Sequence, residues 1–382
     1  MTANSSGSFI ASLFIFLCLF CHACQTESAL PQNLSFVPTK LALHNNDQMV
    51  SIGTSYNESS IRYPAIQIQN DEPIIFPSKT SARGLLLKTN QSGQSFISYY
   101  QAKDLEHQEE VSRLFSLNNN FELKDNISYG HRTRLVDFIP SSSQQFICLN
   151  YEREFANISV AWIENNELNK KVSFTVGEET TIPKQIIQSE NGDLLILGVA
   201  DGFEFKDGHS YKEAFSKGFI LLTDNKGVEK KRWIKAANDG HVFFENVQIQ
   251  SSQIYISGSI QQVNTGMDAF FITLDNQLNP LNEMLFTQNN HQEILDVELN
   301  EKSTTLFINS FDDTDNYQLL IKELSYQGNL IKENKIDSLQ VSSIKDVATI
   351  NKQIYVLTHN QKSRTAIPNT SILKFDRLTL SN

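Results

Sequence analysis

Ser189-Glu190-Asn191-Gly192-Asp193-Leu194-Leu195-Ile196-Leu197-Gly198 is a polar turn followed by an apolar run too short for a helix. Gly takes positive φ at little cost, and Asn and Asp bond their own backbone, so the first half reverses the chain. The run Leu194-Leu195-Ile196-Leu197 does not alternate, which is the pattern of a strand covered on both faces. The same phrase returns along the chain. Such strands start near Met49, Ser95, Gln145, Asp193, Gln253, Thr304 and Gln353, at offsets of 46, 50, 48, 60, 51 and 49 residues. The next strand keeps the beat, near Ala65, Arg113, Ser159, Gly218, Ala269, Gln318 and Thr370. A period of about 40 to 50 residues built only of strands predicts an all-β fold, a seven-bladed β-propeller of four-stranded antiparallel blades.

Outward from that strand the other parts of a blade can be read. Asn169-Lys170-Lys171-Val172 and Ile331-Lys332-Glu333-Asn334-Lys335 suit an outermost strand, where charge opposes edge-to-edge pairing. Asp224-Asn225-Lys226-Gly227, Asp275-Asn276-Gln277 and Tyr326-Gln327-Gly328-Asn329 have turn chemistry between third and fourth strands. Blades are expected at about 33–80, 81–130, 131–185, 186–240, 241–290, 291–339 and 340–382. The last unit has only Asp376 to Asn382 after its third strand, and Asn33-Leu34-Ser35-Phe36-Val37 has no unit of its own. That N-terminal strand is therefore expected to complete or brace the last blade. Both strand series stretch in the fourth unit by about ten residues, so one loop there carries an insertion.

Composition narrows the function. The formal net charge is -11, and no basic face emerges to neutralise phosphates, which argues against a nucleic-acid partner. The densest basic run, Lys230, Lys231, Arg232 and Lys235, falls on an expected outer strand. No G-x-S-x-G elbow, H-E-x-x-H, P-loop or dinucleotide glycine pattern occurs, so no cofactor and no resident metal are expected.

The first residues are of another kind. Phe9 to Phe20 is an apolar run too short to span a bilayer, followed by Cys21-His22-Ala23-Cys24 and polar Gln25-Thr26-Glu27-Ser28. An apolar core, a small residue and a Cys directly after it resemble a bacterial lipoprotein signal peptide. The resemblance implies removal of residues 1–23, lipid attachment at Cys24, a polar tether over 24–32, and a propeller body over 33–382. An ordinary secretory signal cleaved nearby is the alternative. Gln25 is not the Asp that favours inner-membrane retention in that family's sorting pattern, so the implied location is the bacterial cell envelope, at the outer membrane. Cysteines at 18, 21, 24 and 148 leave only Cys148 in the body, inside an apolar strand where a small buried hydrophobe belongs.

The phrase Ser189 to Gly198 is itself similar to the turn-and-strand unit of bacterial secreted propeller repeats, a likeness of fold and not of reaction. In a propeller the loops between second and third strands share a face with the connections into the next blade, and ligand sites favour such loops. Candidate ligand-binding residues are accordingly Asp201, Glu204, Asp207, His209 and Tyr211 of the insertion, with Asp239 and His241 at the next blade entrance. His131, His241 and His291 fall at blade entrances without ligand-type spacing, and Asp312-Asp313-Thr314-Asp315-Asn316 starts like a calcium loop but lacks its Gly and Glu. Glu178, Glu179, Asp207 and Asp239 are the carboxylates from which an acid and base pair for glycoside cleavage would be drawn. The leading expectation is a lipid-anchored binding or scaffold module, with a protein or glycan partner. A propeller enzyme acting on carbohydrate is the alternative, and a structural partner in an outer-membrane assembly is a third reading.

Overall fold

A computed structural model describes residues 34–377 except 45–47, 57–60, 69–70, 77, 79–80, 102–110, 119, 132, 143, 153–154, 166, 179, 202, 207–209, 214, 263–265, 288–289, 313, 315, 326, 340 and 362–366. Blade one holds β1 (Ser35–His44), β2 (Gln48–Tyr56), β3 (Arg62–Ile68) and β4 (Ile74–Ile75). Blade two holds β5 (Ala82–Thr89), β6 (Ser95–Gln101), β7 (Val111–Leu117) and β8 (Leu123–His131). Blade three holds β9 (Thr133–Ser142), β10 (Gln145–Glu152), β11 (Asn157–Glu164) and β12 (Glu167–Phe174). Blade four is made of β13 (Thr181–Gln188), β14 (Leu194–Ala200), β17 (Lys217–Thr223) and β18 (Glu229–Lys235), with the hairpin β15 (Phe203–Lys206) and β16 (Ser210–Glu213) between its second and third strands. Blade five holds β19 (Gly240–Gln250), β20 (Gln253–Gln262), β21 (Gly266–Asp275) and β22 (Pro280–Phe286). Blade six holds β23 (His291–Leu299), β24 (Ser303–Phe311), β25 (Tyr317–Ser325) and β26 (Leu330–Leu339), and blade seven β27 (Ser343–Ile350), β28 (Gln353–Asn360) and β29 (Asn369–Asp376). The fold is an all-β, seven-bladed propeller with antiparallel blades; in blade seven three strands lie among the described residues, and 378–382 lie outside them.

The middle strands are apolar because both of their faces are covered. Every residue of β14 is buried, and each gap between neighbouring blades has its own apolar core. Ile147, Leu149, Ile158 and Leu221 fill the gap between blades three and four, and Leu195, Ile220, Phe244 and Phe270 the gap between four and five. The corners use the expected Asx chemistry. Asp224 accepts from the N–H groups of Lys226 and Val228, both at 2.8 Å, and Asp275 does the same for Gln277 and Asn279.

Each innermost strand carries a β-bulge at one height, between Pro183 and Gln185 in β13, Phe244 and Asn246 in β19, Ile294 and Asp296 in β23, and Ile344 and Asp346 in β27. A bulge bends the strand and increases its twist. The second strand makes room with glycine: a Cβ on Gly198 would run into the Ile182 carbonyl oxygen and lie 2.7 Å from the Phe219 ring. Innermost strands are also sheet edges, with N–H groups that have no partner in their own blade. The residue after the bulge supplies one across the gap. Asp137 Oδ2 accepts from Ile186 N at 2.9 Å, Gln185 Oε1 from Val247 N at 2.8 Å, and Asp346 Oδ2 from Leu41 N at 2.7 Å.

That last clasp closes the ring. The N-terminal strand, expected to complete or brace the last blade, is instead the innermost strand of blade one, paired with β2 from Ser35↔Tyr56 to His44↔Gln48. The expected bounds of blade one, about 33–80, do contain it. It does brace blade seven, by packing and not by pairing: Leu41 and Met49 meet Ile350 and Leu357, and His359 Nε2 donates to Pro38 O at 2.7 Å.

Candidate functional site

The insertion in the fourth unit is an antiparallel hairpin, Phe203↔Glu213 to Lys206↔Ser210, on the face where blades are entered. Glu204 lies in β15 and Tyr211 in β16, whereas Asp207 and His209 lie outside the described residues. Asp201 is a support of the hairpin base. Only 5% exposed and at φ 58°, it accepts from Glu178 N at 2.8 Å and binds Lys217 Nζ at 2.8 Å. That hydrogen bond holds the Lys217 ammonium above its ordinary pKa. His241 supports the other side of the base: its Nδ1 accepts from Ser216 N at 3.1 Å, and its ring stacks on Phe243 and meets Phe215 edge-on. Asp239 is exposed beside it.

His291 repeats the role one blade on, accepting from Met267 N at 3.1 Å. These histidines are corner pieces, each fixing the start of the preceding blade's third strand. Among the described residues no group of three or more His, Cys, Asp or Glu is placed to hold a metal. Asp312 closes a turn with Thr314 and Asn316, and these bonds hold its carboxyl well below the usual range. The basic run on β18 is answered locally: Lys230 binds Asp193, Arg232 binds Glu229 and Lys235 binds Glu283, each at 2.6 Å. Cys148 is fully buried in β10. Among the described residues no helix is long and apolar enough to cross a membrane; residues 1–33, with Cys24, lie outside them.

The central channel is a cavity of ≈ 680 Å³ lined by the bulged segments of the innermost strands. Its charges follow the blades: Lys40, Lys88, Asp137, Lys184, Glu245, Glu293, Asp296, Lys345 and Asp346. Lys88 pairs with Asp137 at 2.5 Å, and Lys184 with Glu245. Burial raises Asp296 to about 7, helped by the neighbouring Asp346 and Glu298 and opposed by Lys40. Burial likewise raises Asp346 to about 6, against the bonds from Leu41 N and the pull of Lys40. Glu293 is raised by burial and by Glu245. None of these groups was a candidate from sequence, yet a signal was there: Asn246-Val247, Asp296-Val297 and Asp346-Val347 recur at intervals of 50 residues.

A seven-bladed propeller with a hairpin inserted in its fourth blade and a charged channel is the class that fold and site define. The sequence matches no family model, and no curated protein matches it. Among solved structures, the β-propeller domain of the Trilobed protease from Pyrococcus furiosus, described as having an open velcro topology, is similar over 93% of this chain and 97% of that one, with 10% identity and a TM-score of 0.52. Prolyl oligopeptidase B from Galerina marginata is similar at 13% identity and TM-score 0.52, over 90% of this chain. One of two prolyl endopeptidases is similar at 11% and 0.52, over 99%. The chain spans about half of the length of those two peptidases, 49% and 54%. At such identities the likeness is one of fold.

Proposed function

We propose that the chain is a lipid-anchored, non-enzymatic β-propeller of a bacterial cell envelope, which binds a protein or glycan partner through the face that carries the β15–β16 hairpin. The carrying observation is a division of labour. Channel carboxylates such as Asp137 and Asp346 are committed to inter-blade clasps, while the hairpin is the addition that no blade needs and its base is fixed by Asp201 and His241. Loops held by a rigid scaffold are where binding residues are placed. The test is affinity purification from native membranes with the intact chain and with one in which residues 202–214 are replaced by a short Gly linker. A stoichiometric protein or a glycan retained by the first and lost by the second is expected; equal retention by both refutes the assignment. Cys24→Ala, expected to release the protein from the membrane fraction, tests the anchor separately.

One observation favours the carbohydrate-enzyme reading as the alternative. Asp296, raised to about 7 in the channel beside Asp346, has the properties of a general acid next to a second carboxyl. Glycoside hydrolysis abolished by Asp296→Asn would move the assignment there.

A further inference from the structure

Of the nine charged side chains that line the central channel, five are carboxylates and four are ammonium groups. Two pairs cancel, Lys88 with Asp137 and Lys184 with Glu245. Lys345 attracts Glu293, whereas Asp296 and Asp346 share the attraction of Lys40. One negative charge is left over, and it falls at the two aspartates of blades six and seven. Burial raises Asp296 to about 7, so near neutral pH a proton stands where a cation is lacking. Asp346 gives Oδ2 to Leu41 N across the ring closure at 2.7 Å, while the bond of Asp296 is to Val297 N on its own strand. Thr349 lines the same cavity from β27, and its Oγ1 is buried with no hydrogen-bond partner among the described residues. An orphan of this kind is costly, and a donor entering the channel would relieve it.

The wall across from these groups is of another kind. In a ring of seven, blades two and three lie opposite blade six. Blade two lines the cavity with Leu85, Leu86 and Leu87, all half-buried, and blade three adds Val136. Ligand cavities are mostly apolar, with a few polar groups that fix orientation. A ligand that met both walls would have one charged end and an aliphatic body. A metal ion does not suit, because among the described residues no group of three or more His, Cys, Asp or Glu is placed to hold one. A primary ammonium does: it has three N–H donors, and the pole offers two carboxyls and one hydroxyl.

We propose that the channel binds a primary alkylammonium group, with its charge at Asp296, Asp346 and Thr349 and its aliphatic body against Leu85, Leu86 and Leu87. Such a group belongs to a free aliphatic amine or to a lysine side chain of another protein. The site is independent of the hairpin face and requires no hydrolysis, so the two readings fail separately.

The probe is n-hexylamine, titrated calorimetrically into the full chain in phosphate buffer at pH 8. Saturable binding is expected, about tenfold or more tighter than that of methylamine or of neutral n-hexanol. Ligand and proton compete for the same carboxyl, so lowering the pH to 5 should weaken binding about tenfold or more. The charged groups on this side of the channel are Glu245 of β19, Glu293 and Glu298 of β23, Lys345 and Asp346 of β27 and Lys40 of β1; Asp346, itself raised to about 6, adds to that loss. Asp296→Asn should weaken hexylamine about tenfold or more. Leu86→Ala should weaken hexylamine about fivefold and leave methylamine unchanged. No saturation up to about 10 mM overturns the proposal, as does equal binding of hexanol or binding that Asp296→Asn leaves intact. Tighter binding of Nα-acetyl-lysine amide than of hexylamine assigns the group to a protein side chain, and weaker binding to a free amine.

Discussion

Asp296→Asn should stabilise the protein at neutral and alkaline pH and do little at acid pH. The Asp296 carboxyl faces the channel from β23, partly buried, with Asp346 and Glu298 adding repulsion and Lys40 attraction. Its pKa rises from an ordinary 3.8 to about 7, so the folded protein holds this proton more tightly than the unfolded chain. The sign follows from linkage: stability falls with rising pH from the unfolded value up to about 7, then levels off. Three units correspond to about 4 kcal/mol at full strength, and water in the open channel should reduce that to about 2 kcal/mol. For a body of this length 2 kcal/mol is about 3 °C in Tm. Thermal melts followed by circular dichroism at pH 5 and pH 8, for the wild type and the Asn variant, read the difference directly. At pH 8 the variant should melt about 3 °C higher and at pH 5 within about 1 °C. An equal difference at both pH values, or a variant less stable at pH 8, would show that the carboxyl is not penalised where it sits.

The clasp is tested by Asp137→Ala, which removes the Lys88 ion pair and leaves Ile186 N–H without its acceptor; urea unfolding should show a loss of about 2 to 4 kcal/mol. Gly198→Ala should cost about 1 to 3 kcal/mol by overpacking against Ile182 and Phe219, and a neutral result would mean that the bulge can slide. His359, lowered by burial, binds its proton less readily folded than unfolded, so its part of ring stability is present above 6.5 and lost as pH falls below it. His359→Gln should flatten that slope between pH 7 and 5 in the same melts. Replacing residues 202–214 should leave the melt within about 1 °C, because the hairpin pairs with itself alone.

Turns and central strands were legible because their signals are local. Asp224, Asp275 and Gly192 act within four residues of their own position, and Leu194 to Leu197 need only be apolar. The beat then located the insertion as well. The clasps were not legible as contacts: Asp137 and Ile186 are 49 residues apart, and Asp346 and Leu41 are 305 apart. A lone polar residue in a half-buried strand looks like ordinary alternation, and only the recurrence of Asn246, Asp296 and Asp346 would have marked it. At the candidate face Asp201 and His241 hold the base of the loop, through partners 16 to 25 residues away that no local sequence signal marks.

The junction between the last blade and the first is assembled from the same parts as an internal one: a carboxylate on an edge N–H, a small apolar core, and no shared sheet. Covalent continuity and packing are therefore interchangeable around this ring. A circularly permuted chain that began at blade four and ended at blade three would rebuild the same seven contacts, and a gene that gained or lost its start by one whole blade would still encode neighbours that fit.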